Sequence, residues 1–148
     1  MTGPERGFLL LTSNLGNPDR KPLTVAQFRE LINRTGQNRV FDADRNMTVQ
    51  DFISMGYSVG FAEHIFSLLQ EEEQLGWYLA QARKTGCVPI TRATERYPLI
   101  LRKRLGADSP GCLWAKGDLS LLDTPAIALV GSRELNPRNQ EFAREAGR

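Results

Sequence analysis

A chain of 148 residues with 41% hydrophobic and 24% charged side chains has room for one ordinary core, or for a small domain joined to part of another; two full α/β domains, a disordered chain and a fibre are excluded. The longest apolar run near the start, Phe8–Leu11, is far short of the roughly 20 residues that cross a bilayer and too short for a signal-peptide core, so a soluble, cytoplasmic protein with no membrane partner is expected. The net charge of +2 hides an asymmetry, with 7 basic and 10 acidic side chains in residues 1–82 against 12 and 7 in residues 83–148, and 15 of the 19 cations are arginine, whose planar guanidinium forks onto phosphate.

After Phe8–Leu11 and the turn-rich residues 13–19, Thr24 followed by Gln27 forms a capping box, and Phe28, Leu31 and Ile32 give a helical stripe that stops near Gly36. Thr48 with Asp51 three residues on caps a second helix, which buries Phe52 and Ile53 and stops at Gly56. A third runs from about Val59 through Ala62, Ile65 and Leu69, and a fourth holds Leu75, Tyr78, Leu79 and Ala82 before Gly86. Residues 1–85 are thus expected to form a small all-helical domain.

The texture changes after Gly86. Cys87–Ile90 and Cys112–Ala115 read as short strands, with a short helix opened by Tyr97-Pro98 and running through Leu101 and Leu105 between them. Pro125 introduces Ala126–Val130, five apolar residues without alternation, the pattern of a parallel strand buried on both faces. Asn136-Pro137 is a helix cap with proline at the first helical position, and Phe142 and Ala143 sit on the helix that follows. An α/β fold follows from this order. A buried parallel strand needs neighbours and a returning strand, and residues 126–148 supply neither, so the chain is expected to be the front of a longer protein, or a copy whose sheet something else completes.

The sharpest candidate site is the strand-to-helix turn Gly131-Ser132-Arg133, which gathers backbone amides, a hydroxyl and a guanidinium ahead of a helix N-terminus, the groups that bind phosphate. It is neither a P-loop nor a dinucleotide fingerprint, since no Gly-Lys-Ser/Thr follows and the next glycine is Gly147. A second candidate is the basic series Arg92, Arg96, Arg102, Lys103 and Arg104 around Tyr97-Pro98, where cations could track a nucleic-acid backbone while the ring stacks or, alternatively, packs as a staple. The third is Phe52–Tyr57 leading to Ala62 and Ile65, an echo of a helix-hairpin-helix whose hairpin amides touch DNA phosphate, with plain helix packing as the alternative.

Little points to catalysis. His64 is the only histidine and falls between core positions of a helix, Glu71-Glu72-Glu73 reads as a solvated face, and no nucleophile–base pair can be assembled. Cys87 and Cys112 lie in different elements with no ligating neighbours, so both are expected to be reduced and structural. No catalytic residue, metal or cofactor is expected.

Tyr97-Pro98, Leu101, Asp108-Ser109-Pro110, Leu113-Trp114, Gly117-Asp118 and Ala126–Arg133 together give a pattern that resembles the DprA (Smf) family of DNA-processing proteins, in that family's order and spacing over residues 97–133. The preceding helices are similar to the small N-terminal domain, of sterile-alpha-motif or helix-hairpin-helix type, that many members carry. The resemblance implies that residues 86–148 open a Rossmann-like domain. It implies a non-enzymatic protein that binds single-stranded DNA, forms a homodimer at full length, and loads the RecA recombinase during competence and natural transformation. By position, Gly131, Ser132 and Arg133 correspond to the family's phosphate-contacting turn; Arg96, Arg102 and Arg104 of the basic series are the further candidate contacts for nucleic-acid phosphate. The sequence departs from the family at Asn136–Asn139, where relatives continue towards Tyr-Gly, and the regions that in relatives complete the DNA pocket, the dimer face and the RecA contact would lie beyond residue 148. A nucleotide-binding sensor or hydrolase of related fold, with Arg133 on a nucleotide phosphate, and an inactive structural fragment are the alternatives.

Overall fold

The computed structural model describes residues 1–37, 46–125 and 136–147. Helix α1 (Gly3–Thr12) is a feature that sequence patterning left as a bare apolar run. Its start is nonetheless written in the chain: Thr2 and Glu5 form a reciprocal capping box, and Pro4 occupies the first turn. Leu9, Leu10 and Leu11 at its end are all buried, so the helix has no polar face there to betray its period.

That loss of amphipathicity has a structural cause, because α1 lies between two apolar clusters. On one side Leu11 joins Phe28 and Leu31 of α2 (Val25–Gln37), Phe52 of α3 (Val49–Ser54) and Ala62, Ile65 and Leu68 of α4 (Val59–Gln70). The rings of Phe8 and Phe28 meet edge to face at 5.0 Å. On the other side Leu9 and Leu10 pack with Leu15 and with Leu75 of α5 (Glu72–Lys84). Both expected capping boxes form: the Thr24 N–H donates to Gln27 Oε1 at 2.9 Å, and the Thr48 N–H to Asp51 Oδ2 at 2.7 Å. Ile32, expected in the buried stripe of α2, is 43% exposed; it sits at the margin of an apolar groove between α1 and α2 instead of beneath Phe28 and Leu31.

A buried guanidinium ties these helices together. Arg20, whose side chain is 3% exposed, donates to the Leu10 and Ser13 carbonyls at the end of α1, to the Leu68 carbonyl in the last turn of α4, and to the carboxylate of Glu71 at the α4–α5 corner. It thereby satisfies carbonyls that the helix ends leave without an intrahelical partner. The turn leading to it is tight. Leu15 takes a left-handed φ of 50° while fully buried, and Gly16 follows at φ 74°. A Cβ on Gly16 would lie 2.5 Å from the Tyr78 ring, so Gly16→Ala is expected to cost roughly 1–3 kcal/mol, read as a lower thermal midpoint.

After Gly86, at φ 72°, the chain enters β1 (Cys87–Thr91), which pairs antiparallel with β2 (Cys112–Lys116) in a two-stranded sheet with Cys87 opposite Lys116 and Thr91 opposite Cys112. Between the strands lie α6 (Leu99–Leu105) and a short 3₁₀ turn, Gly106–Asp108; another, Leu119–Asp123, follows β2. The hairpin rests on the helices. Trp114 meets Tyr78 edge to face at 4.9 Å and donates from its indole N–H to Ser13 Oγ at 3.1 Å, while Arg29 of α2 pairs with Asp108. Helix α7 (Pro137–Ala146) begins as expected at Asn136, whose carboxamide accepts from the Asn139 N–H at 2.8 Å. The fold is thus mixed, rich in helix with a small antiparallel sheet among the described residues. The expected parallel strand Ala126–Val130 lies outside them.

Candidate nucleic-acid interface

The loop from Thr91 to Leu105 is built on arginine–carbonyl bonds. Arg92 donates to the Ala107 carbonyl at 3.1 Å, and Arg102, one turn into α6, reaches back to the carbonyls of Arg92 at 2.6 Å and Thr94 at 3.1 Å. The Arg102 guanidinium also lies over the Tyr97 ring, 5.5 Å from its centre. Tyr97 itself is 1% exposed and donates its hydroxyl to the Pro110 carbonyl at 2.7 Å. The packed-staple reading of Tyr97 describes this geometry; the ring has no face to offer a base.

The basic series therefore divides. Arg92 and Arg102 hold the loop in shape, whereas Arg96, Lys103 and Arg104 are exposed and, among the described residues, make no ion pair. These three border an open groove of about 1100 Å³ between α6 and the Leu119–Asp123 turn. Its floor is apolar, with Leu99 60%, Ile100 50% and Leu121 63% exposed, and Glu95 and Asp123 lie in the same lining. Cations on the rim with an apolar floor suit a ligand that carries both phosphates and flat apolar surface. The division escaped sequence reading because nothing in the order of residues shows which arginine has a backbone carbonyl within reach.

The remaining candidates are placed as follows. Gly131, Ser132 and Arg133 lie outside the described residues. The αα-hairpin of α3 and α4 forms around Gly56 at φ 88°, and its turn is held inward: Arg34 of α2 stacks on Tyr57 at 4.4 Å and donates to the Met55 carbonyl at 2.7 Å. His64 is half-buried, its ring centre 6.3 Å from that of Phe61. Burial pushes the Cys112 thiol above its ordinary pKa, with a hydrogen bond to Thr12 opposing this, so it is a poor nucleophile at neutral pH. Among the described residues no cluster of histidine, cysteine and acidic side chains could hold a metal, and no helix is long and apolar enough to cross a membrane.

Residues 89–148, which hold the arginine-braced hairpin, the cation-lined groove and the capped helix beyond it, match a family model of DNA-processing proteins of the recombination-mediator class. The family that matches those residues is described as DNA recombination-mediator protein A, which bears out the resemblance to DprA read from residues 97–133. The match begins within β1 and runs through α7; helices α1 to α5 lie outside it. No curated protein and no solved structure matches the chain.

Proposed function

We propose that this chain acts without catalysis on single-stranded DNA, as a mediator that hands the strand to a RecA-type recombinase. The family match over residues 89–148 carries the reading. Support comes from the three cations along the α6 groove, which make no ion pair among the described residues, and from the excess of arginine in the same part of the chain. In this proposal residues 86–148 open a Rossmann-like domain whose Gly131-Ser132-Arg133 turn holds a phosphate, Arg96 and Arg104 add contacts along the strand, and the full-length protein works as a homodimer in the cytoplasm, in the uptake of DNA by competent cells. Residues 1–85 are its helical domain.

Binding should prefer single strands and ignore sequence, because cations along an open groove engage the phosphate backbone, which carries no sequence information. Engagement of roughly three to five phosphates would give a log–log salt slope of about −2 to −3.5. Arg133→Ala is expected to weaken binding of a labelled oligonucleotide about ten- to a hundredfold, with Arg133→Lys recovering only part of it. Arg96→Ala and Arg104→Ala should weaken it by smaller factors without moving the thermal midpoint. A salt-independent signal, or tighter binding of a mononucleotide than of an oligonucleotide, would overturn the proposal in favour of a nucleotide sensor.

A further inference from the structure

Helix α5 turns Leu75 and Ala82 into the core and leaves Glu73, Gly76, Trp77, Ala80, Arg83 and Lys84 exposed. Trp77 is 57% exposed. Gly76 beside it and Ala80 one turn on have almost no side chain to shade the indole, so a face of the ring stays open to solvent. An indole left so exposed buries little of the apolar area that makes tryptophan worthwhile in a core, and it contributes nothing to the two clusters described above.

Cations gather at the end of the same helix. Lys84 lies seven residues beyond Trp77, two turns or about 10.5 Å further along nearly the same side, and Arg83 adjoins it. Thr85-Gly86 then turns the chain straight into β1, whose first residue, Cys87, is paired with Lys116 at the end of β2, so a third cation returns to this corner. None of the three makes an ion pair among the described residues, where the salt bridges use Arg6, Arg20, Arg29 and Arg34. The negative end of the α5 dipole accounts for Arg83 and Lys84. It explains neither Lys116, which is on a strand, nor the bare indole.

We infer that the α5–hairpin corner formed by Trp77, Arg83, Lys84 and Lys116 is a second contact for single-stranded nucleic acid, with a base stacked on Trp77 and the adjoining phosphates on the three cations. The inference rests on the single-strand reading of the previous subsection but uses none of its residues. An unpaired base can reach an exposed ring, whereas a base inside a duplex cannot, and no group at the corner reads base edges, so the contact is for single strands of any sequence. The corner sits at the opposite end of the hairpin from Arg92 and α6, about 15 Å away along the five residues of β1, so one strand long enough can touch both surfaces.

The test uses the full chain and an oligothymidylate of about 20 nucleotides, longer than the ~4–16 nucleotides that a single-strand fold covers. The chain has two tryptophans, and Trp114 is half-buried with its indole N–H on Ser13, so quenching of the exposed fluorophore reports Trp77. Quenching on addition of the oligonucleotide is expected. Trp77→Phe should lose that quenching yet keep affinity within about threefold, Trp77→Ala should weaken binding about 5- to 100-fold, and Lys84→Ala or Lys116→Ala should each flatten the salt slope by about 0.7. Unaltered binding by Trp77→Ala, while Arg96→Ala and Arg104→Ala still weaken it, would overturn the corner and leave the groove standing. No binding by the unmodified chain would overturn both. Quenching by phosphatidylserine vesicles and not by the oligonucleotide would reassign the corner to an anionic membrane surface and overturn the inference.

Discussion

Arg20→Ala is expected to lower the stability of the chain by about 3–5 kcal/mol. The guanidinium is buried and serves three carbonyls from the ends of α1 and α4 together with the Glu71 carboxylate. Glu71 is 37% exposed and recovers water when its partner goes, so most of the loss comes from carbonyls left dry and unpaired. Arg20→Lys should recover little, since one ammonium cannot span acceptors on two helices and a corner. Arg20→Met, which restores the apolar stem without donors, separates packing from hydrogen bonding: a midpoint close to that of the unmodified protein would show that the stem and not the bonds stabilises the fold. A loss of this size in a chain of this length corresponds to a fall in thermal midpoint of about 10–20 °C.

Trp114→Ala should cost about 3–5 kcal/mol. The indole fills the space between the hairpin and the Leu9–Leu10–Leu15–Leu75 cluster, meets Tyr78 edge to face and holds Ser13. Its removal opens a cavity where β2 meets the α1–α5 cluster, so residues 1–37, 46–85 and 86–125, expected to melt together in the unmodified chain, should separate. Circular dichroism at helical wavelengths and the reactivity of Cys112, which lies against the same cluster, would then change at different temperatures. Coincident transitions in the variant would show that the hairpin is held by Arg29–Asp108 and its own pairing instead.

How much of this was legible in the sequence depends on what each feature is made of. Capping boxes are local, and Thr24–Gln27 and Thr48–Asp51 were readable as such; Asn136-Pro137 likewise announced α7. Helix α1 is missed by periodicity although Thr2 and Glu5 carry the same signature, because its last turn, Leu9–Leu11, is buried all round and shows no polar face. The two strands were found, but their antiparallel pairing with each other depends on contacts between residues 87–91 and 112–116 that no local pattern records. For the site, charge and spacing located the basic series around Tyr97, while the division of labour between Arg102, tied to backbone carbonyls, and Arg96 and Arg104, exposed on the groove, is a matter of three-dimensional reach. Trp77 was not singled out, since exposure of one aromatic on a helix becomes visible only when the buried face is known.

The position of α1 between both clusters bears on how the chain comes to be folded. The partners of this helix lie both near and far along the chain, from Leu15 and Phe28 to Leu75, and Ser13 is separated by 101 residues from the Trp114 indole that it holds. Local helices can form early and cheaply, but Leu9 and Leu10 are fully covered only when the distant Leu75 and Trp114 close over them, and such long-range closure makes folding slower than the helix content alone suggests. Until those partners are in place the leucines are an exposed apolar surface of the kind that chaperones hold.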